Sequence, residues 1–348
     1  MLHERIRRAR ILRGMSLQDL ANAIGDITKQ ALSKYEAGRD MPGSARILQL
    51  SEALGLKPEY FFRPSTVTLG HLEFRKQTKL TKTNQGSIEE QAREHLERYI
   101  ALEGCFEADA LAPSFDQSHA FPVHSPEEVE QAAEKLRDKW SIGLDAIQNL
   151  TELLEDHGIK VIEIEAPDPF DGLSAQVEGS DHIVVMVNSA KPGERQRFTT
   201  AHELGHLVMK LPHDLPEKEC ENWCHRFAGA FLFPQYKVHE EFGLARGHVH
   251  VQELLLAKRA YGISMQATLR RLLTLSIISE ATYRFMIMRF GQWGYRRKEP
   301  GELVHEEPIR FKWLVYRGLA EGLFTPAKAA EFLQVSLSEL EQSDAPEI

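Results

Sequence analysis

Cysteine is scarce in this chain: three residues in 348, at positions 105, 220 and 224. An odd number without framework spacing excludes a disulfide-stapled scaffold and is the usage expected in a reducing compartment. Absent too is any run of 18 apolar residues, so no transmembrane helix is expected. Residues 1–13 are basic and polar and hold no hydrophobic signal segment. A cytoplasmic protein without a membrane partner is therefore expected. There is no internal repeat and no low-complexity tract, and the length allows two or three domains with ample buried core.

What is present is charge, unevenly spread. The formal net charge is -9, from 42 Lys and Arg against 51 Asp and Glu. Residues 1–82 hold 15 basic side chains against 8 acidic ones, which leaves 27 against 43 for the rest. A basic amino-terminal module on an acidic body is the layout expected when one end meets nucleic acid.

The stretch Phe198-Thr-Thr-Ala-His-Glu-Leu-Gly-His-Leu-Val-Met209 organises the remainder. It contains His202-Glu203-x-x-His206, the H-E-x-x-H arrangement of zinc peptidases. On a helix, residues i and i+4 lie one above the other, so both imidazoles can reach one metal ion. Glu203 sits beside that ion, placed to take a proton from a water the metal has made acidic. Phe198, Ala201, Leu204, Leu207 and Val208 suit a buried helix, and Gly205 allows close backbone packing. The bland alternative is a surface helix that happens to carry two histidines.

Such a site needs a third protein ligand. Downstream, Glu217 to Pro234 reads as a second helix, opened by Pro216 and closed before Pro234. Glu221 ranks first as the ligand, ahead of Glu217 and Glu219, which lie nearer the helix start. Cys220 and Cys224, also i and i+4, are better read as small buried hydrophobes than as ligands. The developing oxyanion would be shared by zinc and one further donor. His225, Tyr236 and His239 are available, and satisfied packing is the competing reading of His225.

The amino-terminal segment reads as a bundle of short helices. Leu2, Ile6, Ala9, Ile11 and Leu12 form an apolar stripe with arginines 5, 7, 8, 10 and 13 around it, and Gly14 ends that helix. Ser16 caps a second helix over 17–24, with Asp19 as its acidic partner three residues on. Gly25-Asp26-Ile27 is a turn, and Thr28 caps a third helix that runs through Glu36. Helices near 44–54 and 58–61 close the bundle. A turn this tight between short helices suits a helix-turn-helix. On that reading Thr28, Lys29, Gln30, Ser33 and Lys34 face the major groove, where Gln and Lys read bases and Thr and Ser serve bases or phosphates. Arg39, Arg5 and Arg46 are phosphate-contact candidates. A protein-interaction bundle with a solvated basic face competes with this.

Between the two lie a possible hairpin, 66–69 and 71–74 around Gly70, and a polar tether, 75–83. A long amphipathic helix over 87–102 suits a connecting or dimerising role. Helices over 126–140 and 147–157 and strands over 159–164, 173–177 and 183–187 lead into the histidine helix. Region 181–188 is a candidate edge strand for pairing with an extended substrate, with structural core as the equal alternative. After Pro234 the pattern is helical, loop over 291–308, then helical again with Pro326 at a helix start.

Taken together, His202-Glu-Leu-Gly-His-Leu207 after Arg197-Phe-Thr, with Glu221-x-x-Cys-His-Arg-Phe-Ala-Gly-Ala-Phe-Leu-Phe-Pro234, resembles the ImmA/IrrE family of zinc metallopeptidases. Trp140-x-x-Gly143 and Phe170-Asp-Gly-Leu-Ser174 extend the likeness upstream. Cys224-His225 departs from the family's more frequent Ala-Asn or Ala-His and leaves Glu221 in place. Ser16-Leu-Gln-Asp-Leu-Ala21 and Ile27-Thr-Lys-Gln-Ala-Leu-Ser-Lys-Tyr-Glu-Ala-Gly38 resemble the XRE-type DNA-binding domain. The resemblance implies a mostly helical α+β chain. A five-helix XRE-type bundle (1–62) and a linker with connecting helix (63–125) would precede a zincin-like domain with a small sheet (126–290) and a helical C-terminal module (291–348). It implies a Zn2+ enzyme that binds double-stranded DNA, as a homodimer where operators are palindromic, and cleaves a protein such as a repressor or antitoxin in stress or mobile-element control. The alternative is a transcription regulator or antitoxin whose metallopeptidase fold senses or docks a partner with little turnover.

Overall fold

The computed structural model describes residues 1–70, 80–111, 114–116 and 120–343. It is mostly helical, with two small sheets. Helices α1 (Leu2–Leu12), α2 (Leu17–Ile24), α3 (Lys29–Glu36) and α4 (Ser44–Leu54) close on a core around Ile6, Leu20, Leu32, Leu50 and Phe61. The fifth expected helix is a 3-10 turn, Pro58–Phe62. The caps read from the sequence form: Ser16 Oγ accepts from the Asp19 N–H at 3.1 Å, Asp19 Oδ2 accepts from the Ser16 N–H at 2.9 Å, and Thr28 Oγ1 accepts from the Ala31 N–H at 3.2 Å.

Helix α5 (Lys82–Glu103) starts five residues before the expected position, because Thr81 supplies a cap and the polar run after it continues the helix. The second arm of the expected hairpin, 71–74, lies outside the described residues. Its first arm does not stand alone: Leu69 bridges to Val177, and the Gly70 N–H donates to the Gln176 carbonyl at 2.9 Å.

The helical bundle docks on α5 through buried charge. Arg8 donates to Glu90 at 2.8 Å and to Glu97 at 2.9 Å, Arg5 pairs with Glu97 at 2.7 Å, and Arg63 pairs with Glu94 at 3.2 Å. Arg5, Arg8, Glu90, Glu94 and Glu97 are all buried, so each charge there relies on its partners for compensation.

Beyond α5 come β1 (Phe121–Pro122), α6 (Pro126–Lys139), α7 (Leu150–Asp156), β2 (Ile159–Ile164), β3 (Gly172–Gln176), β4 (Ile183–Asn188), α8 (Gly193–Val208), β5 (Met209–Lys210) and α9 (Glu217–Leu232). Strands β1 and β5 pair in parallel. The larger sheet has the order β2-β4-β3, with β2 parallel to β4 (Ile159 opposite Ile183) and β3 antiparallel to it (Gly172 opposite Val187). All six residues of β4 are buried, and they divide by the two-residue period of a strand. Ile183, Val185 and Val187 enter the core shared with α8 and α9, while Val184 and Met186 enter a second core capped by Ile88, Ala92 and Leu96 of α5. This corrects the edge-strand expectation for 181–188: β4 is hydrogen-bonded on both sides, and the strand at the sheet's margin on that side is β3. The helix expected as a connector is a layer of the core.

Helices α10 (Gln235–Phe242), α11 (Val251–Tyr261), α12 (Met265–Thr274) and α13 (Glu280–Trp293) gather around Phe233, Leu254, Leu269 and Phe290. Helices α14 (Arg310–Ala320), α15 (Pro326–Leu333) and α16 (Leu337–Ser343) return to α5, packing Phe311, Leu314 and Phe332 against Tyr99 and Leu102. Three carboxylates pin the segment joining α13 to α14. Glu299 accepts from the Met265 and Gln266 N–H groups at the start of α12 and pairs with buried Lys258. Glu306 accepts from the Leu150 and Thr151 N–H groups and pairs with Arg197 of α8. Glu155 accepts from the Ile309 and Arg310 N–H groups as α14 begins.

Two outcomes follow. Arg8→Ala leaves Glu90 to Arg93 and Glu97 to Arg5 in a dry seam, and should lower unfolding free energy by about 1.5–3 kcal/mol for the lost charged hydrogen bonds, read from denaturant midpoints. Burial pushes the Glu155 pKa from 4.5 up to about 7, against two backbone donors that pull it down. Its folded pKa lies above the unfolded one, so its contribution is fullest below about pH 4.5 and drains as pH rises through 7. Stability measured across that window should fall with rising pH in the parent and flatten in Glu155→Gln.

Candidate metal centre and nucleic-acid interface

Helices α8 and α9 pack closely because of one small residue. A Cβ on Gly205 would meet the Phe227 ring at 3.0 Å, so any side chain there would push the ring back by a few tenths of an ångström. That approach carries Glu221, one turn into α9, to the two histidines of α8. His202 Nε2 and His206 Nε2 lie 3.2 Å apart. Glu221 Oε2 is 3.3 Å from the first and its Oε1 is 3.2 Å from the second. His202 is buried, and His206 and Glu221 are half-buried, so the cluster is open on one side.

These three are the group that could hold a metal ion among the described residues. The donors are two imidazole nitrogens and a carboxylate, the set that suits zinc. Bonds of about 2.0–2.1 Å at tetrahedral angles put ligand atoms about 3.3 Å apart, which is the spacing found. Two bare nitrogens facing each other beside a carboxylate are otherwise poor company, and a cation at their centre resolves the crowding. The residues fit the ion.

Glu203 is presented by a different contact. A Cβ on Gly172 would collide with Thr199 and would lie 2.6 Å from the Met186 carbonyl, so β3 lies directly on the 199/203 face of α8. Two residues further on, the Ser174 hydroxyl donates to Glu203 Oε2 at 2.8 Å. Nothing in the sequence marks Ser174 for chemistry beyond its place on a strand that precedes the H-E-x-x-H helix. Cys224 is fully buried, as a small packing residue would be, and its Sγ also lies 3.3 Å from His206 Nδ1. Cys220 Sγ instead reaches the Leu215 carbonyl at 3.6 Å.

His225 lies over the His202 ring, with centroids 4.3 Å apart, and stacks on Phe198. Its Nδ1–H donates to the Glu221 carbonyl at 2.7 Å. Water is stripped from the packed ring face, which depresses its pKa, while the residue remains exposed on the other side. Tyr236 and His239 lie on α10, where Tyr236 is exposed and His239 is half-buried.

On the bundle, Thr28, Lys29, Gln30, Ser33, Lys34 and Arg39 are all exposed, and the first five share α3 and its cap. Leu32 is buried and Tyr35 packs against the same core. The phosphate expectation for Arg5 is corrected: it is 1 % exposed and spent on Glu94 and Glu97. Arg46 pairs with Asp26 at 2.5 Å, and Arg10 forks onto Glu36 at 2.6 and 2.7 Å, which clamps α1 to α3. Much of the basic excess of α1 is therefore structural.

A helix-turn-helix bundle joined to a domain with a paired-histidine and carboxylate centre defines a two-part class, DNA-binding head and metallopeptidase-like body. Residues 6–61 match the family model described as helix-turn-helix, and residues 154–273 match the one described as IrrE N-terminal-like domain. The chain thus carries an XRE-type helix-turn-helix domain followed by an IrrE/ImmA-like domain. It is 37% identical over 67 residues to the "Radiation response metalloprotease IrrE" of Deinococcus radiodurans, covering 16% of this chain and 20% of that protein. It is 44% identical over 59 residues to the "Uncharacterized HTH-type transcriptional regulator y4wC" of Sinorhizobium fredii, covering 17% and 41%. With y4aM of the same organism the figures are 45% over 58 residues, 17% and 40%. The chain spans less than half the length of each of these relatives. Among the described residues, no helix is long and apolar enough to cross a membrane.

If the three side chains hold one ion, zinc should raise the melting temperature of the parent protein by mass action. His206→Ala and Glu221→Gln should lose that shift, and their bound metal should fall well below one per chain by elemental analysis.

Proposed function

We propose that this protein is a DNA-binding regulatory zinc metalloendopeptidase of the cytoplasm that cleaves a specific protein partner, of repressor or antitoxin type. The observation that carries the reading is the convergence of His202, His206 and Glu221 beside Glu203, on a chain that also bears a helix-turn-helix. His202, His206 and Glu221 would hold the ion. Zinc, when bound, polarises the scissile carbonyl and lowers the pKa of water beside it toward about 7. Glu203 takes the proton of the attacking water and hands it to the leaving amine. The Ser174 hydroxyl holds one oxygen of Glu203, which fixes the carboxylate's rotamer and leaves the other oxygen for the proton. His225, with its Nδ1 proton committed to the Glu221 carbonyl, and Tyr236 on α10 remain the candidates to serve substrate or oxyanion.

The head would read DNA through α3. Gln30 and Lys29 address base edges in the major groove, while Thr28, Ser33, Lys34 and Arg39 address bases or phosphates. A dimer would set two such helices one helical turn apart on a palindromic site.

Glu203→Gln should bind metal as the parent does and lose cleavage by a factor of about 100 or more, in a time course with proteins encoded beside this one. A variant that still cuts would remove Glu203 from the mechanism, and a parent that binds metal but cuts nothing would favour a sensor or docking role. Lys34→Ala should weaken binding similarly on all sequences and reduce the salt slope by about 1, whereas Gln30→Ala should cost about 1–3 kcal/mol at one base position only.

A further inference from the structure

We propose that Cys224 is a positioning residue for the metal, acting through His206; the inference rests on the metal-binding reading given above. The argument begins with the two nitrogens of one ring. His206 Nε2 faces His202 and Glu221, so it is the atom that meets the ion. An imidazole that binds through Nε2 in its neutral form carries its proton on Nδ1, and that proton needs an acceptor. The atom found there is Cys224 Sγ, at 3.3 Å, on a side chain with no exposure to water.

Helix α9 supplies both contacts. Glu221 and Cys224 are three residues apart, hence on one face, and they grip the His206 ring at opposite nitrogens, 3.2 Å from Nε2 and 3.3 Å from Nδ1. A ring held at both ends cannot turn about its Cβ–Cγ axis without breaking one contact. His202 is held differently: its Nδ1 is buried without a hydrogen-bond partner among the described residues, and its ring rests against His225. Of the two imidazoles, His206 is thus the one whose tautomer and direction are fixed by a hydrogen bond that its Nδ1–H donates to a side chain. The sulfur does not ligate the same ion, because it lies at the Nδ1 edge while the ligand atoms meet at Nε2. Outer partners of this kind change metal affinity about 10–100-fold when removed.

The test uses the full-length chain as parent, Cys224→Ala, Cys224→Val and Cys224→Ser. Zinc affinity is read by competition with a chromophoric chelator, the cobalt(II) absorption spectrum reports ligand geometry, and melting of the metal-free proteins controls for the fold. Ala and Val should weaken zinc about 10–100-fold and shift the cobalt bands, while Ser, whose hydroxyl can also accept, should stay within a few-fold of the parent. The parent's cobalt spectrum should lack a thiolate charge-transfer band. Equal affinities in all four proteins would overturn the proposal, as would a Ser variant as weak as Ala, or a thiolate band showing direct ligation. Failure of the parent itself to bind zinc or cobalt would instead overturn the metal-binding reading and this one with it.

Discussion

The centre depends on how near two helices can lie. Glycine at 205 lets α8 settle against the Phe227 ring of α9, in the contact that holds the Glu221 carboxylate within 3.3 Å of both histidines. Everything chemically interesting is arranged around this contact. Ala201 and Leu204 of α8 and Ala228, Ala230 and Phe231 of α9 fill the same core, so the ligand geometry is backed by close-packed apolar side chains. The opposite side of α8 is fixed in the same manner by Gly172, which admits β3 and with it the Ser174 hydroxyl. A glycine thus stands at a close contact on each flank of α8.

Much of this is legible in the sequence. The H-E-x-x-H spacing puts two histidines on one face because a helix repeats every 3.6 residues, and Glu221 becomes the candidate third ligand once a second helix is recognised between Pro216 and Pro234. The bundle is legible for a similar reason: Gly14, Ser16, Asp19 and Thr28 are local signals whose consequences are local. The β4 sequence, β-branched but for Met186 and Asn188, suits burial on both faces, and of its two equal readings, edge and core, the fold takes the core.

What the sequence hid is long-range. Arg5 and Arg8 look like any basic stripe beside DNA; only the fold brings Glu90, Glu94 and Glu97, more than 80 residues later, to neutralise them. Charge counts along a chain cannot separate a solvated arginine from a paired one. The same holds for Ser174 and Cys224, whose partners lie 29 and 18 residues away. The role of α5 was likewise invisible, since its amphipathic pattern says that one face is covered and not by what. It lies under the sheet, under the head and under the C-terminal helices at once.

That three-way position has a mechanical consequence. Charges buried in the seam between the head and α5 are shielded from dissolved ions, whereas the exposed lysines and arginine of α3 and its surroundings are screened within about 10 Å at ordinary ionic strength. Rising salt therefore weakens whatever the exposed face of α3 meets long before it loosens the joint inside the molecule. The seam between head and α5 is the charged contact that ionic strength reaches last.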